Sequence, residues 1–279
     1  MNPKLQSALI HVGVFVVIAF LGIIILPTLL IPFGVFIAAA MGTFAAAAIA
    51  NAITLRIFER GRLSDVGLGW TASSRRNLAV GLLGGILAGA IVLLGPVAMR
   101  MADLEAVPKE QTHWASILFI SVVLLFGAIG EEMLLRGYAF QLLVRAAGPF
   151  ATILPTSVIF ALLHANNPNF GFLAGFNTFL FGVLLGYSFL RSGDLWLPIG
   201  IHFGWNWALP LLGVNLSGLT IGVTGYTMHW KIGGLWSGGA YGPEGGLLTT
   251  AIVVLLYFYL EKAPLMPQEP YLLFKDREL

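Results

Sequence analysis

Two adjacent glutamates, Glu131 and Glu132, interrupt a long apolar stretch of this 279-residue chain, and Arg136 follows four residues after the second. Residues four apart share a helix face, so Glu132 and Arg136 can form an ion pair in the favourable order. Glu131 is rotated by about 100° from Glu132 and faces elsewhere. A carboxylate left unneutralised in a low-dielectric setting needs a cation, a proton or water. The alternative is a purely structural ion pair beside a water-filled crevice.

Two histidines lie in similar apolar surroundings. His164 ends an apolar segment four residues after Phe160, and His202 precedes Asn206 by four residues. Taken alone, His164 is explained as a helix-end residue whose hydrogen bonds are satisfied locally. His202 and Asn206 are explained as side chains that form hydrogen bonds between helices. If the chain turns near residue 148, however, Glu131 lies 17 residues before the turn and His164 lies 16 after it. An antiparallel helix hairpin would therefore place these two side chains at nearly the same level.

These residue types suit the attack of water on a carbonyl group. A glutamate can orient a water molecule and remove its proton, and a histidine can bind the same water or ligate a metal beside the carboxylate. Further hydrogen-bond donors can stabilise the oxyanion that forms. The chain has no cysteine, no His-Glu-x-x-His motif and no Gly-x-Ser-x-Gly motif. Thiol, zincin-type and serine-hydrolase chemistry are therefore not expected.

The composition indicates that these groups are positioned within a membrane. Hydrophobic residues make up 58% of the chain and charged residues only 10%, and the mean hydropathy is +0.88. About a quarter of the residues of a soluble domain are charged. A soluble enzyme, a disordered chain and a secreted disulfide scaffold are excluded together. The net charge of +2 gives no indication of a nucleic-acid partner, so we expect the lipid bilayer as the surroundings.

Eight apolar segments approach the length of about 20 residues that a spanning helix needs, and the fifth and seventh are short. They cover residues 8–30, 34–58, 78–99, 114–144, 150–165, 170–190, 196–213 and 246–261. We therefore predict an all-α, polytopic membrane protein with about eight transmembrane helices. Gly200 and Gly204 in the seventh segment would let a neighbouring helix approach closely.

The basic residues predict the orientation. All but three of the 15 Lys and Arg residues fall on or near one side of this arrangement. The exceptions are Arg100, Lys109 and Lys231. The positive-inside rule assigns the basic side, with both termini, to the cytoplasm. Residues 59–77 are then a cytoplasmic loop, residues 100–113 an external loop, and the glycine-rich residues 213–246 an irregular external segment.

We divide the chain into three regions of one membrane domain. Residues 1–110 hold the N-terminal helices and a cytoplasmic loop, and residues 111–212 hold the predicted catalytic core. Residues 213–279 hold the irregular external segment, the last helix and a cytoplasmic tail. The first apolar segment lacks a clear small-residue cleavage site, so we interpret it as a retained helix rather than a signal peptide.

In their order along the chain, the polar motifs resemble those of a known family. Glu131-Glu132-x-x-x-Arg136, Phe160-x-x-x-His164 and His202-x-x-x-Asn206 are similar to the three motifs of the CPBP intramembrane proteases. This family is also called the type II CAAX prenyl protease or ABI family. The direct resemblance covers about residues 114–210. Residues 63–68 and 237–245 also resemble segments of bacterial members.

The resemblance implies a fold and roles for the site residues. It implies eight helices with a site inside the membrane that is open to the cytosol and to lipid. Glu131 would activate water with His164, and His202 with Asn206 would stabilise the oxyanion. The supporting residues would be Glu132, Arg136 and Phe160. Zinc held by Glu131, His164 and His202 is the candidate cofactor, and a metal-free glutamate mechanism is the alternative.

We therefore expect a multi-pass endopeptidase of a prokaryotic cell membrane that cleaves a membrane-anchored peptide or protein. Prenylated CAAX-type substrates are included in this expectation. An ion- or proton-coupled transporter is an alternative, because acidic and histidine side chains inside membranes also relay protons. The apparent absence of internal repeats disfavours it. A non-catalytic immunity or binding protein is a third hypothesis. Such a protein would not need a water-activating carboxylate, so the intact motif residues disfavour it.

Overall fold

The computed structural model of the chain describes residues 3–107 and 114–274, with side chains from residue 5 onward. Several residues used in the charge argument, among them Lys109, Lys275 and Arg277, therefore lie outside the described residues. The helices are α1 (Pro3–Leu30), α2 (Val35–Thr54), α3 (Ala72–Ala98), α4 (Trp114–Arg136), α5 (Tyr138–Ala147), α6 (Pro149–Leu163), α7 (Phe172–Ser192), α8 (Trp196–Leu211), α9 (Gly234–Ser237), α10 (Leu247–Lys262) and α11 (Tyr271–Phe274). The strands are β1 (Ala102–Ala106) and β2 (Tyr226–Trp230).

The fold confirms the predicted all-α, multi-pass membrane protein. Five helical stretches within the described residues are long and apolar enough to cross a bilayer: Leu5–Phe33, Val35–Glu59, Ala72–Ala98, Trp114–Ala147 and Phe172–Ser192. Helix α6 has 15 residues, and helices α8 and α10 have 16 residues each. These three are shorter than a perpendicular span requires. The count of eight spans and the cytoplasmic termini therefore stay predictions.

The fourth apolar segment, predicted as one helix over residues 114–144, is divided at Gly137. The Asn51 side chain of α2 occupies the break: its Oδ1 accepts the Tyr138 amide proton at 2.8 Å, and its Nδ2 donates to the Met133 carbonyl at 3.0 Å. A side chain on Gly137 would collide with Asn51. The break leaves backbone groups unpaired, and a buried amide from another helix satisfies them. It ends α4 immediately after the Glu-Glu-x-x-x-Arg motif.

Helices α3 and α8 pack closely through glycines, as the sequence predicts for Gly200 and Gly204. A Cβ on Gly204 would lie 2.7 Å from the Leu82 carbonyl oxygen, and a Cβ on Gly85 would lie 2.8 Å from the Trp205 amide nitrogen. In lipid, such small residues let backbones approach and gain van der Waals contact. This packing fixes the position of α8, which carries His202 and Asn206.

One end of the bundle, here called the sheet end, carries the described parts of the two segments that were predicted to be external, the loop over residues 100–113 and the irregular segment 213–246. Strands β1 and β2 pair there as an antiparallel ladder, from Ala102 opposite Trp230 to Ala106 opposite Tyr226. Lys231 Nζ lies 2.7 Å from Asp103 Oδ1 across the ladder. The expectation that residues 213–246 are wholly irregular was therefore wrong. The glycine-rich sequence gives no local indication of β2, because this strand pairs with β1, which is distant in the sequence.

The opposite end, here called the basic end, joins the loops predicted to be cytoplasmic. The Leu195 amide donates to the Gly67 carbonyl at 3.0 Å, and the Gln268 amide donates to the Ser192 carbonyl at 2.7 Å. Buried Asp194 accepts hydrogen bonds from the amides of Trp196 and Leu197, and so caps the start of α8. The tail after α10 is thus tied to the loop between α7 and α8.

Candidate active site

The Glu132–Arg136 ion pair is formed as predicted. Arg136 Nη1 lies 3.2 Å from Glu132 Oε1, and both side chains are completely buried. Arg136 Nη2 donates to the Gly182 carbonyl of α7 at 2.9 Å, and its guanidinium lies 5.1 Å from the centre of the Phe160 ring. The arginine therefore links α4, α6 and α7 at the base of the site.

Glu131 faces away from this pair, as the helical spacing predicts. Its side chain is 30% exposed, whereas that of Glu132 is fully buried. Glu131 Oε2 is nevertheless a buried atom without a hydrogen-bond partner among the described residues. Buried polar atoms are normally hydrogen-bonded, so an oxygen in this condition is a natural place for a water molecule or a substrate group.

His202 lies between the two glutamates. Its Nδ1 is 2.9 Å from Glu132 Oε1, and its Nε2 is 3.7 Å from Glu131 Oε2. The close packing of α8 on α3 brings the side chains of His202 and Glu131 together. Because Glu132 holds one ring nitrogen, the orientation of the other toward Glu131 is fixed.

His164 occupies the C-terminal cap of α6. Its Nδ1 lies 2.9 Å from the Phe160 carbonyl oxygen, so Nε2 is the nitrogen left for chemistry. The Phe160 ring contacts His164 edge-on with a centroid distance of 4.8 Å, and the ring of His202 is 6.0 Å away in a similar orientation. Phe160 therefore packs against both histidines and Arg136, which is a supporting position.

Two adjacent cavities bring the predicted residues together. The larger, of about 260 Å³, is lined by Glu131, His164 and Asn206 among others. The smaller, of about 30 Å³, is lined by His164, His202 and Asn206. His164, Asn206 and Ser217 belong to both linings. The four residues named for catalysis thus converge from α4, α6 and α8 on one space between the helices.

Sequence reasoning missed Glu244, which also lines the smaller cavity. Its carboxylate accepts hydrogen bonds at 3.0 Å from Trp205 Nε1 and at 3.0 Å from the Ser217 hydroxyl, and it also accepts from the Ser217 amide. The available signal was that Glu244 is the one acidic residue in the glycine-rich segment 213–246. Its carboxylate attaches this segment to α8 beside the site.

The predicted zinc ligands fit a metal ion only in part. Glu131 Oε2 and His202 Nε2 are 3.7 Å apart, but the other nitrogen of His202 points to Glu132 on the opposite side of the ring. Within the described part of the chain, no three His, Asp or Glu side chains are grouped so that they could hold one ion. We therefore derive no step through a metal, and zinc stays a prediction.

Comparison with known proteins identifies the class. The structure is that of an integral, multi-pass membrane protein, and residues 113–208 match the family described as Type II CAAX prenyl endopeptidase Rce1-like. The chain therefore contains a domain of the CAAX-protease family, which confirms the resemblance of the three motifs. No curated protein and no solved structure matches the chain. The matched region holds all seven residues named from the motifs and ends before Glu244.

Proposed function

We propose that the protein is an intramembrane endopeptidase in which Glu131 activates the attacking water. The observation that supports this most is the unpartnered Glu131 oxygen in a cavity that His164 and Asn206 also line. A general base needs a position within hydrogen-bond reach of a water molecule and a suitable protonation state. The family match supports peptide hydrolysis as the reaction class.

The charges of the site can balance without a metal. Glu131, Glu132 and Arg136 together carry one excess negative charge. From the sequence alone, a cation, a proton or water could compensate this charge. His202 lies beside both carboxylates. A protonated His202 brings the sum to zero and donates from both ring nitrogens, one to Glu132 and one toward the cavity. In this state it can serve as an oxyanion donor.

The proposed reaction follows from these positions. A water molecule bound between Glu131 and His164 Nε2 attacks the substrate carbonyl carbon, and Glu131 accepts its proton. His202 Nε2–H and the Asn206 side-chain amide donate hydrogen bonds to the oxyanion of the tetrahedral intermediate. Glu131 then gives its proton to the leaving nitrogen as the C–N bond breaks. Glu132 and Arg136 remain as the support that orients His202.

Cleavage of a membrane-anchored peptide by the purified protein tests this proposal. Glu131→Gln keeps the shape of the side chain and removes the base, so the rate should fall by about 10²–10⁴-fold. Glu105→Gln, an exposed carboxylate on β1, is the matched control and should cleave at the wild-type rate. Full activity of Glu131→Gln would overturn the proposal. Proton-coupled flux in proteoliposomes without cleavage would favour the transporter hypothesis.

The family description adds a substrate class. A prenylated CAAX tail is the candidate substrate that the matched name supports. The wall of the larger cavity is mainly apolar and includes Ala39, Leu124 and Leu163, which suits an apolar substrate group. Cleavage rates of one peptide with and without a farnesyl group, compared at equal concentration, test this choice. A higher kcat/KM for the farnesylated peptide is expected.

A further inference from the structure

A tight turn in the glycine-rich segment borders the candidate site. Leu216 and Leu219 are hydrogen-bonded to each other in both directions, with amide-to-carbonyl distances of 2.9 and 2.8 Å. The two central residues, Ser217 and Gly218, have φ values of 49° and 82°. Positive φ at both central positions is typical of the type I′ turn of a two-residue hairpin. Residues 216–219 are called the site turn below.

The site turn contributes to both cavities. Leu216, Ser217 and Leu219 line the larger cavity, which Glu131 also lines. Ser217 lines the smaller cavity as well, together with His202. The Leu216 side chain is buried in the core, whereas Leu219 keeps part of its surface accessible. Leu219 is therefore the apolar side chain of the turn that is placed to contact a substrate.

The Glu244 carboxylate holds the site turn on one side. One of its oxygens accepts hydrogen bonds from the amide and the hydroxyl of Ser217, and the other accepts from Trp205 Nε1 at 3.0 Å. Trp205 directly precedes Asn206 in α8. A serine with positive φ is uncommon and persists where surrounding contacts hold it. Because the turn and α8 share one carboxylate, the turn has a fixed position relative to the proposed oxyanion donors.

The loop after α6 holds the site turn on another side. The Gly218 amide donates to the Tyr241 carbonyl at 2.8 Å, and a Cβ on Gly218 would lie 2.1 Å from the Pro168 carbonyl oxygen. Pro168 follows His164 by four residues, and the Asn167 amide donates to the His164 carbonyl at 3.0 Å. The turn thus packs against the loop that begins at this histidine. A wall fixed on two sides discriminates by size, because a larger group beside it causes overpacking.

We propose that the site turn is a specificity-determining wall of the active site, in which Leu219 sets the size of the substrate side chain that fits beside the scissile bond. This inference rests on the proposed function, which places the scissile carbonyl between Glu131 and the donors on α8. A substrate residue next to that carbonyl then lies against the turn. The turn follows the matched residues 113–208, so the family match gives it no role.

Peptides with side chains of graded size test this role. Two series of the membrane-anchored peptide carry Ala, Leu or Phe, one series at the residue before the scissile bond and the other at the residue after it. Leu219→Ala enlarges the space beside the turn, and Leu219→Phe reduces it. In one series, the kcat/KM ratio of the Phe peptide to the Ala peptide should rise about tenfold in Leu219→Ala and fall about tenfold in Leu219→Phe. The change should arise mainly in KM, because the contact is made on binding.

Leu235→Ala is the matched control. Leu235 belongs to the same glycine-rich segment, is 61% exposed and lies outside the linings of these two cavities. This variant should keep the wild-type order of peptides in both series. Because Leu219→Ala and Leu219→Phe shift the ratio in opposite directions, a general loss of structure cannot produce the expected pattern. The same order of kcat/KM in wild type and both Leu219 variants would overturn the inference.

Binding to an inactive protein separates this inference from the proposed function. The Kd of each peptide for Glu131→Gln, measured by fluorescence anisotropy with and without each Leu219 substitution, repeats the comparison without cleavage. The order of Kd values should shift with Leu219 as the order of kcat/KM does. An order of Kd values that is independent of Leu219 would overturn the inference alone. Full cleavage by Glu131→Gln would overturn the proposed function alone, so the two failures are distinguishable.

Discussion

Removal of Arg136 tests how the buried charges support the site. Arg136→Met leaves the Glu132 carboxylate completely buried without its ion-pair partner and removes the hydrogen bond to the Gly182 carbonyl. Removing one member of a buried ion pair typically costs about 3–5 kcal/mol, because the remaining charge is uncompensated. His202 still lies within hydrogen-bond distance of Glu132, at 2.9 Å, and it offsets part of this cost. We therefore expect a loss near the lower end of that range.

The double variant Glu132→Leu/Arg136→Met separates stability from catalysis. It removes both charges together, and replacement of a buried pair by apolar residues is often neutral for stability. Its thermal unfolding midpoint in detergent should therefore lie above that of Arg136→Met. Peptide cleavage should remain low in both variants, because Glu132 no longer orients His202. The reasoning is refuted if Arg136→Met unfolds at the wild-type temperature, or if the double variant is both the less stable and the more active of the two.

Three other predictions concern Glu244, Asp194 and the requirement for zinc. Glu244→Ala removes the acceptor that holds Trp205 and the Ser217 segment, so KM for peptide cleavage should rise more than kcat falls, and Glu244→Gln should recover part of the loss. Equal KM values in wild type and Glu244→Ala would contradict this. Burial raises the pKa of Asp194 above its ordinary value of 3.8, so the folded state keeps a proton that the unfolded chain has lost. This group therefore lowers the free energy of unfolding as pH rises from about 3.8 through the raised value. Asp194→Asn should flatten that part of the pH profile of thermal unfolding, and an unchanged slope would count against the assignment. Finally, if no ion takes part, protein purified with a chelator should contain less than one equivalent of zinc by elemental analysis and cleave peptide at the untreated rate. Loss of activity that stoichiometric zinc restores would instead support the ligand set predicted from the sequence.

Several features of the site were predictable because they depend on helical spacing alone. The four-residue interval between Glu132 and Arg136 fixes their common face, and the one-residue offset of Glu131 fixes its different direction. The apolar segments that contain these residues also required a membrane. Local periodicity is sufficient for such predictions, because neighbouring turns of one helix determine the geometry.

Other features depend on contacts between distant parts of the chain. The break at Gly137 forms because Asn51, which lies 87 residues from Tyr138, satisfies the backbone on both sides of it. The depth of His202 is set by the glycine packing of α8 on α3. Strand β2 and Glu244 lie in a glycine-rich segment without helical periodicity, whose partners lie on other elements. No spacing rule within the segment could reveal them.

Oxygen-isotope labelling combined with a matched pair of variants tests the central claim most directly. Cleavage of the membrane-anchored peptide in H₂¹⁸O should place one ¹⁸O atom in the new C-terminal carboxylate, as read by mass spectrometry of the product. Glu105→Gln should give the same labelled product at the wild-type rate, and Glu131→Gln should give almost none. A product without ¹⁸O, or labelled product formed by Glu131→Gln at the wild-type rate, would contradict a glutamate-activated water.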